Sequence, residues 1–305
     1  MSSPNSHQKT AERSPHKRLH PRNHHNQGYD FPSLIASHPT LTPFVFNNAF
    51  GNLSIDYSHA EAVKHLNAAL LTYHYQIQGW DIPEGALCPP IPGRVDYIHH
   101  IADLLGVSDQ NNNIRMLDIG IGASGIYSLL ASHCYGWQCV GSDINQTSLN
   151  NVATILNKNK TLERLVTLRH QPNPHQIFEG IINQGEMFDV SVCNPPFHAS
   201  AEEASKAYQQ KQHNLKLKTN TNSLNFGGSA AELWCNGGEK LFLKKMIRES
   251  QVFAEQCRWF TSLVSKIENL TPSIKLIKKL GASDIKQIDM HQGNKITRIL
   301  AWTFQ

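Results

Sequence analysis

From residue 114 onward, apolar residues fall in short runs bounded by Gly, Asn, Asp or Pro and separated by longer polar-apolar stretches. Runs near 114–119, 137–142, 165–170, 188–193, 258–264, 284–290 and 295–304 have strand length and bounding turn residues, and Ile126 to His133, after the first of them, has helical spacing. Strands that alternate with helices predict an α/β fold with a parallel sheet. The last two runs are joined by His291-Gln292-Gly293-Asn294, a hairpin turn. The expected sheet therefore has seven strands, six parallel and one antiparallel.

The chain before this core reads differently. Ala60 to Tyr75 and Val95 to Leu105 form two amphipathic helical patterns. Between them Trp80-Asp81-Ile82-Pro83 and Cys88-Pro89-Pro90-Ile91-Pro92-Gly93 make a stiff connector, because proline fixes φ. Residues 1–28 carry Lys9, Arg13, Lys17, Arg18 and Arg22 against a single acid, Glu12, and read as a disordered basic tail able to touch phosphates. Three parts are expected: this tail at 1–28, a helical region at 29–106 and a core at 107–305. Within the core, about 198–238 is a long polar insertion, expected to be mobile.

Composition narrows the class. The 305 residues are 40% hydrophobic with a formal charge of +4, enough apolar material for a sizeable core. No run of 18 apolar residues is present and the N-terminus lacks an apolar signal segment, so a cytoplasmic protein without a membrane span is expected. Six cysteines without a C-x-x-C pair, and histidines without H-E-x-x-H, point to reduced packing thiols and no metal.

Two constellations carry chemistry. The run Ile114 to Ile119 leads into Gly120-Ile121-Gly122-Ala123-Ser124-Gly125, a glycine turn before a helix, where the backbone can approach a ligand and offer unpaired N–H groups. Asp143 ends the next strand about 20 residues on, the spacing of a ribose contact. Taken alone, this pair also suits a dinucleotide enzyme. The second constellation is Asn194-Pro195-Pro196-Phe197 at the end of the fourth run. Two prolines remove two backbone donors and hold carbonyls outward. The Asn194 side-chain carbonyl and the Pro195 main-chain carbonyl can each accept one N–H of a planar amine, while Phe197 can stack on a base. An exocyclic amine is a poor nucleophile, so positioning must do most of the work.

The order of glycine turn, acid and N-P-P-F resembles class I amino-methyltransferases that use S-adenosyl-L-methionine. Leu117-Asp118-Ile119-Gly120, Gly122-Ala123-Ser124, Ile126-Tyr127 and Cys193 to His198 are similar to the ribosomal RNA large subunit methyltransferase F family, which has a eukaryotic relative acting on U6 RNA. The likeness extends to Tyr29-Asp30-Phe31, Leu53 to Tyr57, Pro92 to His99, Trp259 to Lys266 and Thr297 to Trp302, with departures at Ile121, Gly125 and Ser128. It implies a Rossmann-like seven-stranded sheet with a helical N-terminal extension. It implies methylation of N6 of an adenine in 23S rRNA, at position 1618, on naked RNA or a large-subunit assembly intermediate, by a monomer. Cofactor contacts carried over are Arg94, Gly120, Ser124, Asp143, Asn173 and Asn194, with Gly122 from the turn itself and Asn194 to Phe197 as the catalytic segment. The arginine fork suits the methionine carboxylate.

Other readings stay open at this level. An N-P-P-aromatic turn also holds a glutamine amide in protein-modifying enzymes, although tyrosine usually ends it there. DNA adenine is a second target, and a noncatalytic RNA-binding assembly factor that keeps the fold is a third reading.

Overall fold

The computed structural model describes residues 18–108, 113–196, 198, 200, 203, 235, 237–292 and 295–305. The N-terminal region forms helix α1 (Phe31–Ser37), a small antiparallel hairpin of β1 (Val45–Asn47) and β2 (Leu53–Ile55), and helices α2 (Ala60–Tyr75) and α3 (Ile91–Leu105). The periodicity placed α2 correctly. Helix α3 begins four residues before the expected Val95, because Pro92 sits in its first turn, where no backbone donor is needed.

The rest follows the predicted alternation. Strand β3 (Arg115–Ile119) leads to α4 (Ile126–Tyr135), β4 (Gln138–Asp143) to α5 (Gln146–Asn157) and the short α6 (Lys160–Glu163), then β5 (Val166–His170) and β6 (Phe188–Cys193). After the insertion come α7 (Gly238–Val252), β7 (Cys257–Val264), α8 (Leu270–Lys279), β8 (Asp284–Gln292) and β9 (Lys295–Thr303). One seven-stranded sheet results, in the order β5-β4-β3-β6-β7-β9-β8. Strand β9 pairs antiparallel with β7 and β8 on either side, and the other pairings are parallel, so six strands run one way. Gly293 and Asn294 of the expected turn lie outside the described residues.

Both faces of this sheet are covered, which is why its central strands read as unbroken apolar runs. Successive side chains alternate between the faces. Met116, Val190 and Val192 point into a core shared with α2, α3 and α4; Leu117, Ile119 and Cys193 point into a second core with Leu243, Met246 and Ile247 of α7 and with Trp302. The first core runs without a break from Phe31 and Leu70 to Leu129 and Trp137, so the helical region and the sheet fold as one packed unit.

Polar ties fix that junction beside the glycine turn. Trp80 Nε1 donates to the Ser124 carbonyl at 3.0 Å, and the Asn151 amide donates to the carbonyls of Asp81 at 2.9 Å and Ala123 at 2.7 Å. Tyr97 of α3 shares a hydrogen bond with Thr261 of β7 at 2.7 Å.

The tail expectation is corrected over residues 20–25, which pack against α3 and α2. The His20 N–H donates to Asp96 at 2.6 Å, the Asn23 amide donates to Asp96 at 3.0 Å and to the Pro92 carbonyl at 2.9 Å, and Arg22 pairs with Asp103. His25 is buried with its Nε2 3.0 Å from the Tyr75 hydroxyl, and burial pushes its pKa down to about 3, so it stays neutral. Composition registers the positive charge of this segment and not the acidic helix that receives it. Residues 1–17 and most of the 198–238 insertion lie outside the described residues.

Candidate active site

The glycine turn follows β3 directly. Gly120, Gly122 and Gly125 have φ of +72°, +63° and +62°, the left-handed region that favours glycine. The N–H groups of Gly120 and Ile121 both donate to the Ser142 carbonyl at 2.9 Å, which folds the turn back over β4. Gly141 makes that approach possible, since a Cβ there would lie 2.2 Å from Ile121 Cδ1.

Asp143 closes the loop between the two strands. Its Oδ2 accepts the Gly122 N–H at 2.8 Å and its Oδ1 accepts the Asn145 N–H at 2.8 Å. The carboxylate is thereby fixed at the cavity wall, where it suits a ribose diol. Behind the turn lies Asp118, fully buried. Its Oδ2 accepts from the Ser128 N–H at 3.2 Å and the Ser128 hydroxyl at 2.9 Å, and its Oδ1 has no partner among the described residues. Ser128, one of the departures from the family pattern, supplies both donors. Burial pushes the Asp118 carboxyl up to about 7.

Arg94 enters from α3. Its Nη1 donates to the Tyr127 hydroxyl at 2.6 Å, and its guanidinium stands 5.5 Å from the Tyr127 ring centroid, so the fork is aimed by both a hydrogen bond and a cation–π contact. Asn194 leaves the end of β6 with its Oδ1 buried and without a partner among the described residues. Its neighbour Cys193 is buried and its thiol is raised well above the ordinary range by burial, which leaves it a packing residue.

These groups border one cavity of about 630 Å³, within the range of small-ligand sites. Arg94, Gly120, Gly122, Ser124, Asp143, Asn194, Pro195 and Pro196 all line it. Asn173 does not: its Oδ1 accepts the His175 N–H at 2.9 Å, shaping a loop whose other members Gln171 and Pro174 to Ile177 reach the cavity. Phe197 lies outside the described residues. Sequence reasoning missed Tyr127, Ile144, Gln171, His175, Gln176 and Ile177 as wall residues. Only Ile144 carried a signal, an apolar residue directly after the strand-end acid, and it is 44% exposed.

The donor set fits S-adenosylmethionine: a guanidinium fork for a carboxylate, a fixed carboxylate for a diol, and a glycine turn that lets the ligand approach the backbone closely. Fold and site together define a class I methyltransferase dependent on that cofactor. A family model of RNA methyltransferases matches residues 13–305. The chain is 56% identical to ribosomal RNA large subunit methyltransferase F of Saccharophagus degradans, over 95% of this chain and 96% of the relative. It is 57% identical to the Shewanella oneidensis protein of the same name, over 94% and 81%. Among solved structures, the human METTL16 catalytic domain in complex with the MAT2A 3′UTR hairpin 1 superposes with a TM-score of 0.81 at 28% identity, covering 95% of this chain and 96% of that one. The human METTL16 N-terminal domain in complex with SAH gives 0.76 at 26%, covering 95% and 100%. The chain belongs to the ribosomal RNA large subunit methyltransferase F family.

Proposed function

We propose that this protein methylates N6 of one adenine in 23S rRNA, on naked RNA or a large-subunit assembly intermediate, as a cytoplasmic monomer. The observation that carries the reading is Asn194, which lines the cavity and whose Oδ1 is buried with no partner among the described residues. A buried carbonyl without a partner is costly, and it is satisfied when a planar amine enters. The names of the bacterial relatives support rRNA as the substrate, and the RNA hairpin in the human structure supports RNA as the macromolecule.

When bound, S-adenosylmethionine supplies an electrophilic methyl group on its sulfonium. Arg94 would hold the methionine carboxylate and Asp143 the ribose. Asn194 and the Pro195 carbonyl would accept the two N–H groups of the base. Acceptance of both hydrogens favours a pyramidal nitrogen with its lone pair directed toward the methyl, so alignment replaces ionisation by a base. Asp118 sits behind the turn at 0% exposure and serves the backbone. The adenine must leave its stack at a cost of a few kcal/mol, which favours an unpaired position.

The test is nucleoside mass spectrometry of RNase fragments of 23S rRNA from cells with and without the gene. Loss of one N6-methyladenosine, restored by the wild-type chain and not by Asn194→Ala, is expected. An unchanged rRNA map overturns the reading and moves the target to other RNA, DNA or protein glutamine.

A further inference from the structure

Helix α7 buries Leu243, Met246 and Ile247 against the sheet and turns Lys240, Lys244 and Arg248 outward. Four-residue spacing puts these three cations on one stripe, about 12 Å long at the helical rise. Like charges at this spacing repel and weaken a helix. Among the described residues, none of the three forms an ion pair. A helix that needed only solubility is better served by mixed signs, so the stripe calls for an external anion.

Its position says which anion. The stripe borders a groove of about 370 Å³ lined by Leu241, Lys244, Lys245, Arg248 and Glu249. Leu241 and Lys245 also line the cofactor cavity, so groove and cavity share a wall. Glu249, the acid in that lining, is turned inward. Its carboxylate accepts the N–H groups of Ile177 at 2.9 Å, Phe178 at 2.7 Å and Glu179 at 2.8 Å. Lys245 Nζ donates to the Pro174 carbonyl at 3.1 Å. The inner members of the groove thus fasten the loop that walls the cavity, and the cations left facing solvent are Lys240, Lys244 and Arg248.

We propose that this face of α7 is the track for the phosphodiester backbone of the RNA strand that delivers the target adenine. The proposal rests on the reading of the site as an RNA adenine methyltransferase. Charge complementarity names the partner, and the shared wall names the strand, since a chain seated in the groove lies against Leu241 and Lys245, which also wall the cavity that Asn194 lines. Glu249 and Lys245 link the track to the cofactor loop through the same helix.

The experiment is fluorescence anisotropy with a labelled single-stranded oligonucleotide of 23S rRNA spanning the methylated adenine, at several salt concentrations. The triple variant Lys240→Gln, Lys244→Gln, Arg248→Gln is compared with the wild type and with a variant that keeps the charges, Lys240→Arg, Lys244→Arg. An affinity loss of about 10- to 100-fold is expected for the triple variant. The slope of log affinity against log salt should flatten by about 2, three phosphate contacts at about 0.7 each. Cofactor affinity by calorimetry should stay within about twofold, which also shows the variant is folded, and the charge-conserving variant should bind as wild type. Unchanged RNA affinity and salt slope in the triple variant overturn the track, while methylation of the oligonucleotide by the wild type keeps the functional reading intact. A wild type that does not bind the oligonucleotide also overturns the track, and the functional reading is then judged separately by the rRNA map from cells with and without the gene.

Discussion

Replacement of Asn194 by alanine should separate stability from catalysis. In most buried sites, removing a polar side chain costs both. Here the Oδ1 atom is buried and without a partner among the described residues, so its removal lifts a desolvation penalty of about 1–3 kcal/mol from the free protein. Against this stands the loss of a small side chain's packing in a wall that is already open to the cavity. The melting temperature should therefore hold or rise; about 1 kcal/mol corresponds to a few degrees in a chain this large. Turnover should fall, because the lost group is a preorganised acceptor used on the amine. Deleting one such fixed hydrogen-bonding group typically costs about 10²- to 10³-fold in kcat, or about 2.7–4 kcal/mol. Single-turnover transfer of labelled methyl groups to the RNA oligonucleotide, with a thermal melt of the same sample, measures both. A melting temperature lowered by many degrees with kcat intact would show that Asn194 pins the fold and would refute the reasoning.

Tyr127→Phe should weaken cofactor binding about fivefold in calorimetry, because it removes one hydrogen bond worth about 1 kcal/mol from Arg94 and keeps the ring beneath the guanidinium; Arg94→Ala should weaken it far more. Glu249→Gln should raise the KM for S-adenosylmethionine, since the carboxylate holds the backbone of the cavity loop; equal KM values would remove that role. Asp118 gives a pH dependence. Its folded pKa, about 7, lies above the ordinary value of 3.8, so the stability it contributes is fully present below about pH 4 and is lost as pH rises through 7. At about 1.36 kcal/mol per unit this is on the order of 4 kcal/mol. Urea unfolding should show the wild type weakening between about pH 4 and 7 and Asp118→Asn weakening less; parallel curves would contradict the buried-carboxyl account.

The parts of the site that lie within one strand and its following turn were legible from the chain. Gly120, Gly122 and Asp143 announce themselves because a parallel strand needs an apolar run and a close turn needs glycine, both local demands, while Ser124 and Arg94 were placed by resemblance. Asn194 was legible for the same reason, with prolines marking the turn. Asn173 was placed by resemblance, and the structure gives its side chain to the backbone of its own loop while Gln171, His175, Gln176 and Ile177 form the wall. Those wall residues carry no motif, because a loop side chain reaches a cavity through the path of the backbone, which the loop's own residues do not specify. Likewise the segment 20–25 reads as solvated charge until Asp96 and Asp103 of α3 are seen beneath it.

By itself, then, the sequence determined the seven-stranded alternation, the methyl-transfer chemistry and the family, since periodicity and turn chemistry act over a few residues. Only the tertiary structure decided that the helical extension and the sheet share one core, that Tyr127 aims Arg94, that Asp118 is held by Ser128, and that α7 lays a cationic stripe beside the cavity. Each of these joins residues distant in the chain, and their contact is fixed by packing across the sheet, a long-range outcome that no local pattern encodes.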